Sequence, residues 1–174
     1  MKFALALEGG GTRGNYTAGV LETFLENEIN ADLVVGVSAG ACNGCSYVAR
    51  QPGRARRTNL EYINDRRYAG IGCIIRERSV FGMKFNFDTI PNELDPLDYD
   101  AMMSNPCQFI SVVVDAETAE PVYFPKQEMR RGDYSILRAS SALPVFSPAV
   151  EIGGRKYYDG GTVDPIPVHY PLEH

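Results

Sequence analysis

The chain has 174 residues, enough for one substantial core and too few for two ordinary domains, so it reads as a single domain over 1–174. Its formal net charge of −5, with both signs interspersed, excludes the continuous basic stripe that would neutralise a nucleic-acid backbone. The apolar run at the start is too short for a signal peptide or a spanning helix, so the default compartment is the cytoplasm, with no more than transient contact at a membrane.

In chain order, Phe3 to Leu7 is a short apolar run stopped by Glu8 and three glycines, the pattern of a buried strand ending in a tight turn. Tyr16, Val20, Leu21, Phe24 and Leu25 then recur at spacings of three and four, predicting a helix from about Asn15 to Glu28. Asp32 to Val37 is a valine-rich second strand, and Ala39 to Ala49 is small and apolar enough for a closely packed helix. Strand, helix, strand, helix predicts an α/β fold with a parallel sheet.

From Gln51 to Asn105 the pattern weakens. A helix is expected near Arg54 to Arg67 and another near Asp98 to Ser104, with a loop holding Phe81, Phe85 and Phe87 between them. The cationic stretch from Arg50 to Arg67, interleaved with Glu61 and Asp65, reads first as a solvated helix face and second as a neighbour for an anionic head group. Cys107 to Val114 pairs with Pro121 to Phe124 as a hairpin. Tyr134 to Ser141 reads as a short helix, and Ala149 to Tyr158 as a second hairpin turning at Gly153-Gly154 and delivering Asp159 to a turn. Cys42, Cys45, Cys73 and Cys107 lack zinc spacing and are expected to be ordinary buried thiols.

Three short segments carry chemistry. Gly36-Val37-Ser38-Ala39-Gly40 is a GxSxG pattern between strand and helix, where small flanking residues tighten the turn until the Ser38 hydroxyl projects from it. Gly9-Gly10-Gly11-Thr12-Arg13-Gly14 closes the first strand, and its amides can converge on an oxyanion. The same string fits the GxGxxG of dinucleotide sites, but Asp32 stands at the beginning of the second strand, not at the far end where a ribose-binding carboxylate belongs. Asp159-Gly160-Gly161 supplies a carboxylate between close-approach glycines, able to act as a base if burial raises its pKa. Two alternatives stand beside it: a Ser-Asp-His triad using His169, and a catalytically silent lipid- or nucleotide-binding module built on the same glycine loop.

Taken together and in this order, GGGTRG, GVSAG and DGG resemble the patatin-like phospholipase family, as do Ala139 to Pro144 and Asp164 to Val168 around the last hairpin. The resemblance implies a three-layer α/β/α fold with a mainly parallel central sheet. It implies a serine hydrolase acting on lipid acyl esters through a Ser38–Asp159 dyad, with the amides around Gly10, Gly11 and Thr12 as oxyanion hole and with no metal or cofactor. Arg13 falls on the family's basic position, either shaping the glycine loop or meeting an anionic head group. Relatives continue beyond the point matching His174, which leaves completeness of the sheet edge open. Head group, acyl length and oligomeric state are not legible; Phe81, Met83, Phe85, Phe87 and Met103 are candidates for an acyl channel.

Overall fold

The structure, a computed structural model, describes residues 3–173. Strand β1 (Ala4–Leu7) leads through the glycine loop and a single 3-10 turn (Gly11–Arg13) into α1 (Gly14–Glu26), then β2 (Leu33–Val37) and α2 (Ala39–Val48). Helices α3 (Arg54–Leu60) and α4 (Ile71–Glu77), a π-helix (Phe85–Leu94) and α5 (Tyr99–Ser104) follow. The second half comprises β3 (Gln108–Asp115), β4 (Pro121–Pro125), α6 (Ser135–Ser140), β5 (Val150–Ile152), β6 (Arg155–Asp159) and α7 (His169–Glu173).

The six strands form one mixed sheet in the order β1-β2-β3-β6-β5, with β4 on the remaining edge of β3. Its centre is parallel, Leu5 pairing with Val34 and Val34 with Phe109. Parallel strands covered on both faces need apolar residues at every position rather than alternate ones, which is why β2 and β3 read as continuous runs. Val34, Phe109 and Val113 face the larger core, which Leu21 of α1, Val48 of α2 and Leu137 of α6 complete. Val35, Val37, Ile110 and Val112 face the other way, under Tyr123 and Tyr170 of α7. The result is the expected three layers, with most of the helical mass on one side.

One register detail organises the site. Along the edge of β3 opposite β4, β2 runs parallel and ends with Val37 beside Val112, while β6 runs antiparallel and ends with Asp159 beside Val113. The two strands therefore meet head to head, C-terminus to C-terminus, on a single edge.

The middle of the chain departs from expectation. The helix expected over Arg54 to Arg67 stops at Leu60 and gives way to turns through Tyr68. Phe85 and Phe87 belong to the π-helix, which contains Pro91, and not to a loop. α4 was not anticipated because Ile71, Ile74 and Ile75 lie exposed on it, so its apolar residues do not mark an inward face. Both hairpins form, the second turning at Gly153 and Gly154 with positive φ at each, as a two-residue turn of this hand requires. Phe109 is fully buried at the centre of the larger core. Phe109→Ala should lower unfolding free energy by about 4 kcal/mol, read as an earlier urea midpoint with an unchanged slope.

Candidate active site

Ser38 sits between β2 and α2 with φ 56° and ψ −124°, a conformation that costs a non-glycine residue backbone strain. Packing imposes it. A Cβ on Gly40 would lie 2.3 Å from the Leu7 carbonyl oxygen, and one on Gly36 would lie 2.7 Å from the Ala41 nitrogen, so only glycine at both positions lets strand and helix approach this closely. The elbow is also pinned from outside. The Ser38 N–H donates to Ser140 Oγ at 2.8 Å, and the Ser140 hydroxyl donates to the Val112 carbonyl at 2.7 Å. That carbonyl lies at the gap where β2 has ended and β6 begins. Ser140 stands in for the ladder partner that neither strand supplies.

The glycine loop leans on the elbow. A Cβ on Gly9 would come 3.3 Å from Ser38 Cβ, and Gly14 is held against Ala39 with its carbonyl accepting from Asn43 Nδ2 at 2.7 Å. The Gly9 amide donates to Pro165 O, and the Arg13 amide to Gly10 O. The amides of Gly10, Gly11 and Thr12 have no acceptor among the described residues, and Gly11 lines the same cavity as Ala39, the first residue of α2 and itself without an intrahelical acceptor by position. The Arg13 side chain folds back over Gly10, its Nε 3.3 Å from where a Cβ would stand.

Asp159 arrives at the same point from β6 and is 1% exposed. Its Oδ1 accepts from the Gly161 amide at 2.8 Å, its own amide donates to Ala142 O at 2.9 Å, and a Cβ on Gly160 would lie 2.7 Å from the Val112 carbonyl. Burial pushes the Asp159 pKa above the ordinary carboxylate value; the Gly161 amide and the neighbouring Ser38 hydroxyl oppose this. The two residues singled out in the sequence are thus brought together. His169 opens α7, is exposed, and is neither a partner of Asp159 nor a lining residue of the cavity below; His174 lies outside the described residues. Asp32 precedes β2 and accepts from the Phe3 amide at 2.7 Å, away from the glycine loop.

A cavity of about 180 Å³ opens at Gly11, Ser38 and Ala39 and runs along α2 past Cys42 and Cys45 to Arg54. Of the proposed acyl-channel residues, Phe81, Met83 and Phe87 line it. Phe85 and Met103 do not: Phe85 is buried edge-on against Tyr62 with the Arg67 guanidinium over its ring, and Met103 packs on the main core. All four cysteines are free thiols, and only Cys42 is less than fully buried. Burial drives Cys42 to about 11 and Cys45 to about 12, so both stay protonated near neutral pH. Arg54 corrects the reading of its stretch as a solvated face, since it is 6% exposed.

A family model described as patatin-like phospholipase matches residues 5–172. The chain belongs to that family. YjjU of Escherichia coli (strain K12) is 33% identical over 96% of this chain and 47% of its own length. The NTE family protein Rv1063c of Mycobacterium tuberculosis is 25% identical over 96% of this chain and 44% of its own. The patatin-like chain thus spans about half the length of the curated relatives it matches. VipD from Legionella pneumophila shares the fold, with a TM-score of 0.51 at 15% identity over 94% of this chain and 46% of that one.

Ser140 is the site residue whose role the sequence did not disclose: it stands in a family-like segment, but nothing local links it to the Ser38 turn 102 residues away in the chain. Ser140→Ala leaves a buried N–H and a buried C=O unpaired. Expected outcomes are a loss of about 2–4 kcal/mol of stability by denaturant titration, together with slower labelling of Ser38 by a fluorophosphonate.

Proposed function

We propose that the domain is a lipid acyl hydrolase in which Ser38 is the nucleophile and Asp159 its base. The observation that carries this reading is the head-to-head meeting of β2 and β6, which sets a strained, projecting hydroxyl against a buried carboxylate with unpaired amides alongside. Asp159 accepts the Ser38 proton as Oγ attacks the ester carbonyl. Charge gathering on the carbonyl oxygen is met by the amides of Gly10, Gly11 and Thr12, each donor of this kind supplying about 3 kcal/mol of transition-state stabilisation. Asp159 then returns the proton to the departing alcohol, and water releases the acyl group by the same steps in reverse.

The placement of Arg13 over Gly10 favours a loop-shaping role for that side chain. The exposed, unattached position of His169 favours the dyad over a triad. Among the described residues no helix is long and apolar enough to cross a membrane, and lipid ester reaches the site by transient contact in this reading.

Ser38→Ala and Asp159→Asn should each reduce nitrophenyl-ester turnover to residual levels, while His169→Ala leaves it intact; retention of most activity by Ser38→Ala would overturn the assignment. Asp159→Asn should melt no lower than wild type at pH 7. A carboxyl whose pKa is raised by folding destabilises the fold once ionised, and asparagine can still accept from Gly161. The base must be deprotonated to act, so kcat/KM should rise with pH on the acid side with an apparent pKa above the ordinary carboxylate range of about 4. A flat profile through that range would remove Asp159 from the role.

A further inference from the structure

The charged side chain in the cavity wall is a buried cation that shares the Asp95 carboxylate with a second guanidinium, that of Arg57. Arg54 Nε and Nη2 donate to the backbone carbonyl of Asp95 at 3.2 and 2.9 Å, and Nη1 donates to Ser46 Oγ at 3.0 Å. Both acceptors are neutral. The Asp95 carboxylate stands 3.8 Å from Arg54 Nε and is instead gripped by Arg57, with contacts of 2.7 and 3.1 Å. Two guanidinium groups and one carboxylate leave a net positive charge at a side chain that is 6% exposed. Buried charges of this kind are costly unless paired, and three hydrogen bonds occupy only three of the five N–H donors on the guanidinium.

The charge is felt inside the cavity. Arg54 acts electrostatically on Cys42, Cys45 and Tyr134, all of which line it, and no Asp or Glu is among the lining residues. In the same lining, Asn86 Oδ1 is buried without a donor. The wall is therefore polar at Arg54 and apolar at Phe81, Met83, Phe87 and Ile90. Ser46, which holds Arg54, lies eight positions beyond Ser38 along the α2 segment, a separation of about 12 Å at the helical rise. An extended chain of about ten bonds spans that distance, judging by the reach of a polypeptide.

We infer that the cavity is built for an acyl chain of medium length ending in a carboxylate, its ester end at Ser38 and its far end paired with Arg54. The inference rests on the reading of Ser38 as the nucleophile at the cavity mouth. It differs from that reading in what it says of the substrate: the enzyme prefers half-esters of dicarboxylic acids to esters of plain fatty acids of equal length. The apolar walls take the methylenes, and the guanidinium replaces the water that a terminal carboxylate gives up.

The inference is tested without turnover first. Calorimetry on the Ser38→Ala protein should show a saturated dicarboxylate of about ten carbons binding at least about tenfold more tightly than the monocarboxylate of the same length, the worth of one charge-assisted contact. Equal affinity would overturn the inference and leave the hydrolase reading standing. Turnover of matched nitrophenyl half-esters and alkanoates by wild type should show the same preference in kcat/KM. Absence of any turnover alongside selective dicarboxylate binding would instead remove the hydrolase reading and keep the anion site. Arg54→Gln, which retains donors for the Asp95 carbonyl, should erase the preference while plain alkanoates are still cleaved; an undiminished preference would exclude Arg54. Should that variant fail to fold, Arg54→Lys keeps the charge and must keep a weakened preference. Arg57→Gln, which frees the Asp95 carboxylate to pair with Arg54, should lower the ratio. A phosphate on the alcohol side, tested with a short-chain lysophosphatidic acid, should gain nothing from Arg54; an Arg54-dependent gain there would place the anion in the head group and overturn the chain-end assignment.

Discussion

The arrangement depends on how a single carbonyl, that of Val112, is satisfied. β3 carries two different partners in succession on one edge, and the ladder is broken where one stops and the other begins. A gap of this sort at the centre of a sheet would ordinarily leave backbone groups unpaired in the core. Here the Ser140 hydroxyl donates to the carbonyl on one side and accepts from the Ser38 amide on the other, closing the gap with two hydrogen bonds. The break in the sheet is also the opening toward which the Ser38 turn and the Asp159 carboxylate converge. A sheet with continuous pairing along that edge would have no room for either.

Much of this was legible in the sequence, for reasons that differ from part to part. β2 and β3 announced themselves because strands buried on both faces must be apolar throughout. Gly36, Gly40 and Gly160 of the GxSxG and DGG segments were informative because each forestalls a clash with backbone, which no side chain can relieve by moving. The catalytic candidates therefore showed as local spellings. Helix α4 and the π-helix did not show, since the isoleucines of α4 face outward and Pro91 interrupts the periodicity on which helix recognition relies. The contrast between Phe87 on the cavity and Phe85 beneath Arg67 is likewise set by contacts with distant residues. The roles of Ser140 and Arg54 are of the same kind. Nothing in the neighbouring residues says that a hydroxyl will bridge a strand gap, or that one arginine in a cationic stretch will be turned inward.

The site divides its electrostatics between two ends. At the mouth, a carboxylate is held in a setting that raises its pKa, and it is countered there by an amide and a hydroxyl rather than by a cation. At the Arg54 end a cation is held by a carbonyl and a hydroxyl, with the Asp95 carboxylate, shared with Arg57, 3.8 Å away. Their separation along α2 matters, because an arginine close to Asp159 would hold the carboxyl ionised and weaken it as a base. The thiols between them remain neutral and serve as apolar wall.

The bridge from Ser38 to Ser140 spans 102 residues of sequence. While a ribosome is still extending the polypeptide, the elbow has emerged but the hydroxyl that pins it has not been made, and neither has the carboxylate from β6. Contacts this remote are also slow to form, because a long loop must close before they contribute. A fragment that stops short of Ser140 thus carries Ser38 without the hydroxyl that pins its turn and without the carboxylate of β6.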